Sequence, residues 1–194
     1  MTVSADDISE RYLKKAIAEI NDLGREIAEA AGSERAPVLG SGHPLADIFL
    51  LKYGPQAAEV HEGVAFFGRA GQAILKSFQR LRVDPTAVYG TNCLKFAGAD
   101  EEQARRWLTR ELHIVQPKLI VVMGQDALGC LNAVSFPLAT EIGSEAGKIQ
   151  RFTATIEALV VPDLDASLDE QAKKREFWEA FKAIGPWWSE LPPY

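Results

Sequence analysis

Short stretches with no polar face constrain this chain more than anything else in it. ADIFLLKYG at 46–54, KLIVVMG at 118–124 and EALVVPD at 157–163 each carry a wholly apolar run that ends in a turn. A half-exposed strand alternates apolar and polar residues, so a run without alternation must be covered on both faces. That is the condition of strands in parallel sheets, where crossover helices shield either side. AVYGTNCLKF at 87–96 reads as a further strand and turn, and the helical patterns QARRWLTRELHIV, QDALGCLNAV and LDEQAKKREFWEAFKAI fall between or after the strands. Alternating strands and helices with short connections predict an α/β fold, a three-layer α/β/α sandwich around a central, mainly parallel sheet. Ligands of such sheets bind beyond the carboxyl ends of the strands. The turns LKYGPQ, GTNCLKF, MGQD and VPDLDAS are therefore expected along one rim.

Upstream of the first strand, Leu13, Ile17, Ile20, Leu23 and Ile27 recur at helical spacing, and Ser4 with Asp7 forms a loose capping box. One amphipathic helix is predicted over 5–31, followed by the loop GSERAPVLGSGHP. The 194 residues suit a single domain, 1–194, with a core large enough to need no staples. No apolar run approaches the length of a membrane span, and acids precede any apolar stretch at the start, so no membrane partner and a cytoplasmic location are expected. Cys93 and Cys130 read as small buried apolar residues. The formal charge of −6 argues against coating nucleic acid by bulk attraction. A local excess remains between residues 63 and 95, where Arg69, Lys76, Arg80, Arg82 and Lys95 face only Asp84. That segment is either a basic patch or a solvated helix face.

Several chemistries find little support. MGQDALG follows a strand and opens a helix, but it lacks the later glycines of a dinucleotide fingerprint and any P-loop lysine. His43, His61 and His113 are scattered singly with no thiolate cluster near them, so no metal site is expected. FFGRAGQ at 66–72 is by itself compatible with a core aromatic pair and a tight turn. The C-terminal GPWWSELPPY is expected to pack its tryptophans on the domain surface or on a neighbour.

Four segments in fixed order change the weight of these signals. VLGSGHPLADIFLL resembles VFGEGNPDADLMFV of the iron–sulfur branch, family 4, of the uracil-DNA glycosylase superfamily. EGVAFFGRAGQ is similar to its QGRPFVGRAGQ, VYGTNCLKF to VYITNVVKC, and QPKLIVVMGQDAL to RPKVIVALGRTAL. The resemblance runs from about Pro37 to about Lys182, and it implies DNA or a nucleobase as partner. It places Phe66 where the family stacks an aromatic on the extruded base, and Asn92 where an amide reads the base edge. Stacking contributes about 1–3 kcal/mol per base, and an amide offers a donor and an acceptor together. Phe67, in the place of the family's Val, is expected to turn into the core.

The resemblance also exposes three departures. The cluster cysteines are missing: their regions hold the helix AEINDLGREIAEAAG, Phe96 and a position near Ala104, so no iron–sulfur cluster and no other cofactor is expected. The first catalytic turn reads KYGPQ, with Tyr53 in place of the family's Glu, although Glu59 matches an acidic position. The second reads Asp165-Ala166-Ser167 where the family has HPS. That His donates a hydrogen bond to the departing base. An ionised Asp at about 4 Å would instead repel it by about 4 kcal/mol at an effective dielectric near 20, about a thousandfold in rate. Efficient uracil excision by the usual mechanism is therefore disfavoured. Asp165 is held neutral and acts as a general acid, or it steadies a cationic sugar while Glu59 orients water, or it is a solvated loop residue. Tyr53 is a third catalytic candidate or else a plug above Phe66, and Leu164, Leu168, Ser167 and Arg69 are candidates for DNA contact. The implied activity is DNA N-glycosylase chemistry on a flipped base; the alternative is a nucleobase or nucleic-acid binding module on the same scaffold.

Overall fold

In the computed structural model, which describes residues 5–192, the chain opens with helix α1 (Ala5–Ala31). The predicted helix is there, but its inward stripe is Ala16, Leu23, Ile27 and Ala31, and Ile17 faces solvent. Ser4 and its capping box lie outside the described residues. Next come β1 (Ser41–Gly42), β2 (Ile48–Lys52), α2 (Ala57–Glu62) and α3 (Arg69–Leu81). They are followed by β3 (Val88–Asn92), α4 (Glu101–Val115), β4 (Leu119–Met123) and α5 (Gln125–Asn132). The last elements are β5 (Ile149–Arg151), β6 (Glu157–Val161), α6 (Leu164–Ser167), α7 (Gln171–Phe181) and α8 (Ile184–Ser189).

The sheet runs β1-β3-β2-β4-β6-β5. Its inner four strands are parallel, as the unbroken apolar runs predicted, and every residue of β2 and β4 is buried. The edges are antiparallel: β1 pairs with β3 and β5 with β6. Those edge strands are two and three residues long and only partly buried, so they lack the apolar run that betrays an inner strand.

Odd and even positions of β2 feed two separate cores. Phe49 and Leu51 pack with α4 and α5, through Leu108, Leu112, Ala127 and Leu131. Ile48 and Leu50 pack with α3, α7 and α8, through Ile74, Phe78, Phe181 and Ile184. Helices thus cover both faces, giving the α/β/α sandwich. α1 lies outside α4, sealed by Leu23, Ile27, Ala31, Phe96 and Trp107. No described helix is long and apolar enough to cross a membrane. Trp187 is tucked against the second core and donates its indole N–H to Glu157 at 2.6 Å, and Trp188 packs beside it; Pro193 and Tyr194 lie outside the described residues.

Candidate functional site

β2 is followed by α2 and α3 on one face of the sheet, while its neighbour β4 is followed by α5 on the other. The crevice where connections diverge is the usual ligand site of such sheets. Here β2 ends on Lys52 and β3 on Asn92, which stand opposite each other in the ladder. Both belong to the even set that faces α3, and both are buried, at 3 % and 0 % exposure.

Lys52 is the residue that sequence reasoning missed. Its ammonium donates to Glu59 Oε2 and to Asp165 Oδ2, each at 2.8 Å, and so joins the two turns given catalytic roles above. It also lies over the Phe66 ring, 5.2 Å from the centroid. The available signal was a lysine at the rim end of an otherwise apolar strand, a position where a charge must find a partner.

Glu59 is fully buried, and its oxygens are committed. Oε2 accepts from Lys52 and from the Gln56 N–H at 2.7 Å, closing the first turn of α2, and Oε1 accepts from the Phe66 N–H. A carboxylate so occupied positions its neighbours; the expectation that Glu59 orients water is corrected accordingly. The Phe66 bond holds a backbone at φ +61°, where a bulky side chain is strained. Two glycines make room: a β-carbon on Gly71 would come within 2.0 Å of the Phe66 carbonyl oxygen, and one on Gly90 within 2.6 Å of its ring. The ring therefore lies on the strand at Gly90, beside Lys52 and Asn92.

Asn92 has neither a donor for its oxygen nor an acceptor for its NH₂, and Asp165 Oδ1 is likewise buried and unpartnered. Leaving such a group unsatisfied costs about 1–3 kcal/mol, and native proteins rarely tolerate it without a reason. Three loose hydrogen-bonding positions beside an aromatic face form the chemical outline of a site for a flat polar ring. Stacked rings keep their centroids about 4.5–7 Å apart, however, and the Lys52 ammonium occupies that height above Phe66. The slot is closed by Lys52 in this conformation.

Other expectations are rearranged. Tyr53 does not plug the Phe66 face; it packs against the opposite core with Cys130, and burial, then the carboxylates of Glu101 and Asp126, push its hydroxyl up. Phe67 is 48 % exposed instead of core, lining an apolar cleft with Val64 and Leu75. Leu164 is core, so it cannot act as a wedge. Ser167 is buried and its hydroxyl donates to the Asp163 carbonyl, because VPDLDAS is wound into α6 under an Asp163 cap; it is removed from the DNA-contact candidates. Leu168 is half-buried at the end of that turn. Arg69 pairs with Asp169 at 2.6 Å on the surface next to it. Asp165 Oδ2 accepts from the Lys52 ammonium, while its Oδ1 has no partner.

The basic segment does not survive as one patch. Lys95 is fully buried and paired with Glu111, which also accepts from Tyr89 at 2.9 Å and from Thr91 at 3.0 Å on the other face of the sheet. Arg80 lies over the Trp178 ring. His113 stacks on Phe136, far in sequence from His43 and His61.

A family model described as the uracil DNA glycosylase superfamily matches residues 39–183. The chain belongs to that superfamily. It is 23 % identical over 159 residues to the type-4 uracil-DNA glycosylase of Archaeoglobus fulgidus, spanning 76 % of this chain and 80 % of that enzyme. The positions that the family-4 resemblance gives to cluster ligands do not fit a cluster here. Phe96 and Ala104 are buried hydrocarbon with no lone pair to donate, and the Phe96 ring packs on Trp107 at 5.9 Å between centroids.

Proposed function

We propose that this superfamily member is a DNA N-glycosylase that works without an iron–sulfur cluster and with a lysine in its catalytic centre. The observation that carries the reading is the unpartnered, fully buried Asn92 amide beside a Lys52 ammonium shared by two carboxylates. An extruded base enters over Phe66 as Lys52 swings aside, and Asn92 gains the donor and acceptor it lacks. Bond cleavage leaves negative charge on the base, where the family's His would donate; the displaced ammonium supplies that donor. Asp165, with Oδ1 free, faces the cationic sugar and the attacking water, and Glu59 holds both Phe66 and Lys52 in register. The pair of charges answers the repulsion that Asp165 alone would bring: an ammonium at about 3–4 Å offsets a carboxylate at similar range.

The Archaeoglobus relative is named for uracil, and uracil is the first base to test. Oligonucleotides carrying one uracil, hypoxanthine, xanthine or alkylated base are incubated with the chain and treated with alkali. Strand scission at the modified site, lost in Lys52→Met and reduced in Asp165→Asn, is the expected result. The closed slot favours a second reading, a non-catalytic nucleobase or DNA binder. Its signature is salt-sensitive binding that Phe66→Ala weakens, with no scission of any substrate.

A further inference from the structure

The two cysteines, 37 positions apart in sequence, meet on the α4–α5 side of the sheet. Cys93 follows β3 and is wholly buried; Cys130, on α5, is half-buried and packs against the same core. Each thiol lies close enough to the other to perturb it. Cys130 also lines an open cleft of about 210 Å³ with Tyr53, Arg105, Asp126 and Leu94. One cysteine thus lines a cleft open to solvent, and the other is buried in the core against which it packs. We propose that Cys93 and Cys130 form an oxidation site for hydroperoxides that closes to an intramolecular disulfide.

The environment divides the roles. The neighbouring Cys93 thiol, then the positive charges of Lys95 and Arg105, pull the Cys130 thiol below its ordinary range against the effect of burial. Burial holds the Cys93 thiol well above it. The thiolate is the nucleophile, and Cys130 is the cysteine that lines the cleft where a peroxide can enter, so Cys130 reacts first. Its sulfur attacks the distal oxygen of ROOH, the O–O bond breaks, and ROH leaves with a proton, giving a sulfenic acid. Cys93 sulfur then attacks Cys130 sulfur, and the hydroxyl departs as water with the Cys93 proton. Two thiols and ROOH become one disulfide, ROH and water; the sulfurs lose two electrons and the peroxide gains them.

The link reaches the candidate base site through the backbone. Cys93 N–H donates to the Lys52 carbonyl and Leu94 N–H to that of Tyr53, each at 2.8 Å, and Asn92 is the residue before Cys93. Drawing the two sulfurs to the bonded distance of about 2.05 Å shifts the strand end that carries Asn92 and Lys52. This consequence rests on the proposed glycosylase reading; formation of the bond does not.

The test uses the full chain and hydrogen peroxide. After treatment, the denatured protein is expected to lose both titratable thiols, regain both with dithiothreitol, remain monomeric, and yield one peptide pair joined through Cys93 and Cys130. Cys93→Ser is expected to stop at a Cys130 sulfenic acid that dimedone traps, whereas Cys130→Ser leaves Cys93 unreacted. Two thiols still titrating in treated wild type would overturn the proposal, as would a disulfide between chains, or Cys130 passing to sulfinic acid with Cys93 free. A disulfide that forms in a chain shown inactive on every oligonucleotide would sustain this site and refute the glycosylase reading alone.

Discussion

Asn92 stands opposite Lys52 across the β2–β3 ladder, and the two side chains, equally inaccessible, have opposite fortunes. Lys52 is saturated by two carboxylates, while Asn92 has no partner at all. A fold selected only for stability would have given the amide a partner or replaced it with hydrocarbon. On the proposed reading Asn92 is the receiving group of the site and Lys52 the gate.

Asn92→Ala should separate function from stability. It removes an amide whose desolvation costs about 1–3 kcal/mol and leaves a small cavity, terms of opposite sign. The melting temperature is expected to stay level or rise, while base excision or nucleobase binding falls about a hundredfold. A large loss of stability would mean that the amide is bonded in the folded protein, and its role as receptor would be untenable.

Lys52→Met should do the reverse to the fold. Breaking a buried ion pair by removing one partner costs about 3–5 kcal/mol, because the two carboxylates are left facing each other. Denaturant unfolding reads this directly. Adding Glu59→Gln to Lys52→Met removes the fully buried charge and should restore part of the stability, and excision should remain about 10²–10³-fold down, the usual effect of losing a donor to a developing anion. Activity returning with stability in that double variant would rule out a chemical role for Lys52.

The inner sheet and its rim were legible because burial on both faces leaves a mark that any reader of periodicity can find. β1 and β5 were not, since two or three half-buried edge residues carry no pattern. An ordered resemblance singles out Phe66 and Asn92 as candidates, whereas nothing local singles out Lys52, whose partners lie 7 and 113 positions away. Phe67 and Ser167 misled for a related reason. A left-handed residue at 66 reverses the turn and sends Phe67 outward, and an Asp163 cap winds the expected loop into a helix that buries Ser167.

Tyr53→Phe should be nearly silent. The ring packs on the α4–α5 side of the sheet, away from Phe66, and its hydroxyl borders the cleft at Cys130. Stability is expected within about 0.5 kcal/mol of wild type and excision within about twofold. A loss of excision comparable to that of Lys52→Met would place the tyrosine in the chemistry after all.

The attachment of α1 should carry its own pH signature. Glu26 accepts from the Trp107 indole at 2.9 Å and pairs with Arg110, tying α1 to α4. The Arg110 hydrogen bond first, then that of Trp107, hold its carboxyl below the ordinary 4.5. A depressed folded-state value means that the unfolded chain takes up the proton first, so the stabilisation is full above about 4.5 and disappears as pH falls through the folded value. Glutamine at this position still accepts from Trp107 but cannot pair with Arg110. The stability gap between wild type and Glu26→Gln, followed by urea unfolding from neutral pH downward, should therefore be constant near neutrality and close below 4.5. Both partners are nearly half exposed, which keeps the gap small and makes added salt shrink it. A gap that widens on acidification would show that the carboxyl is not held in its charged form by Arg110.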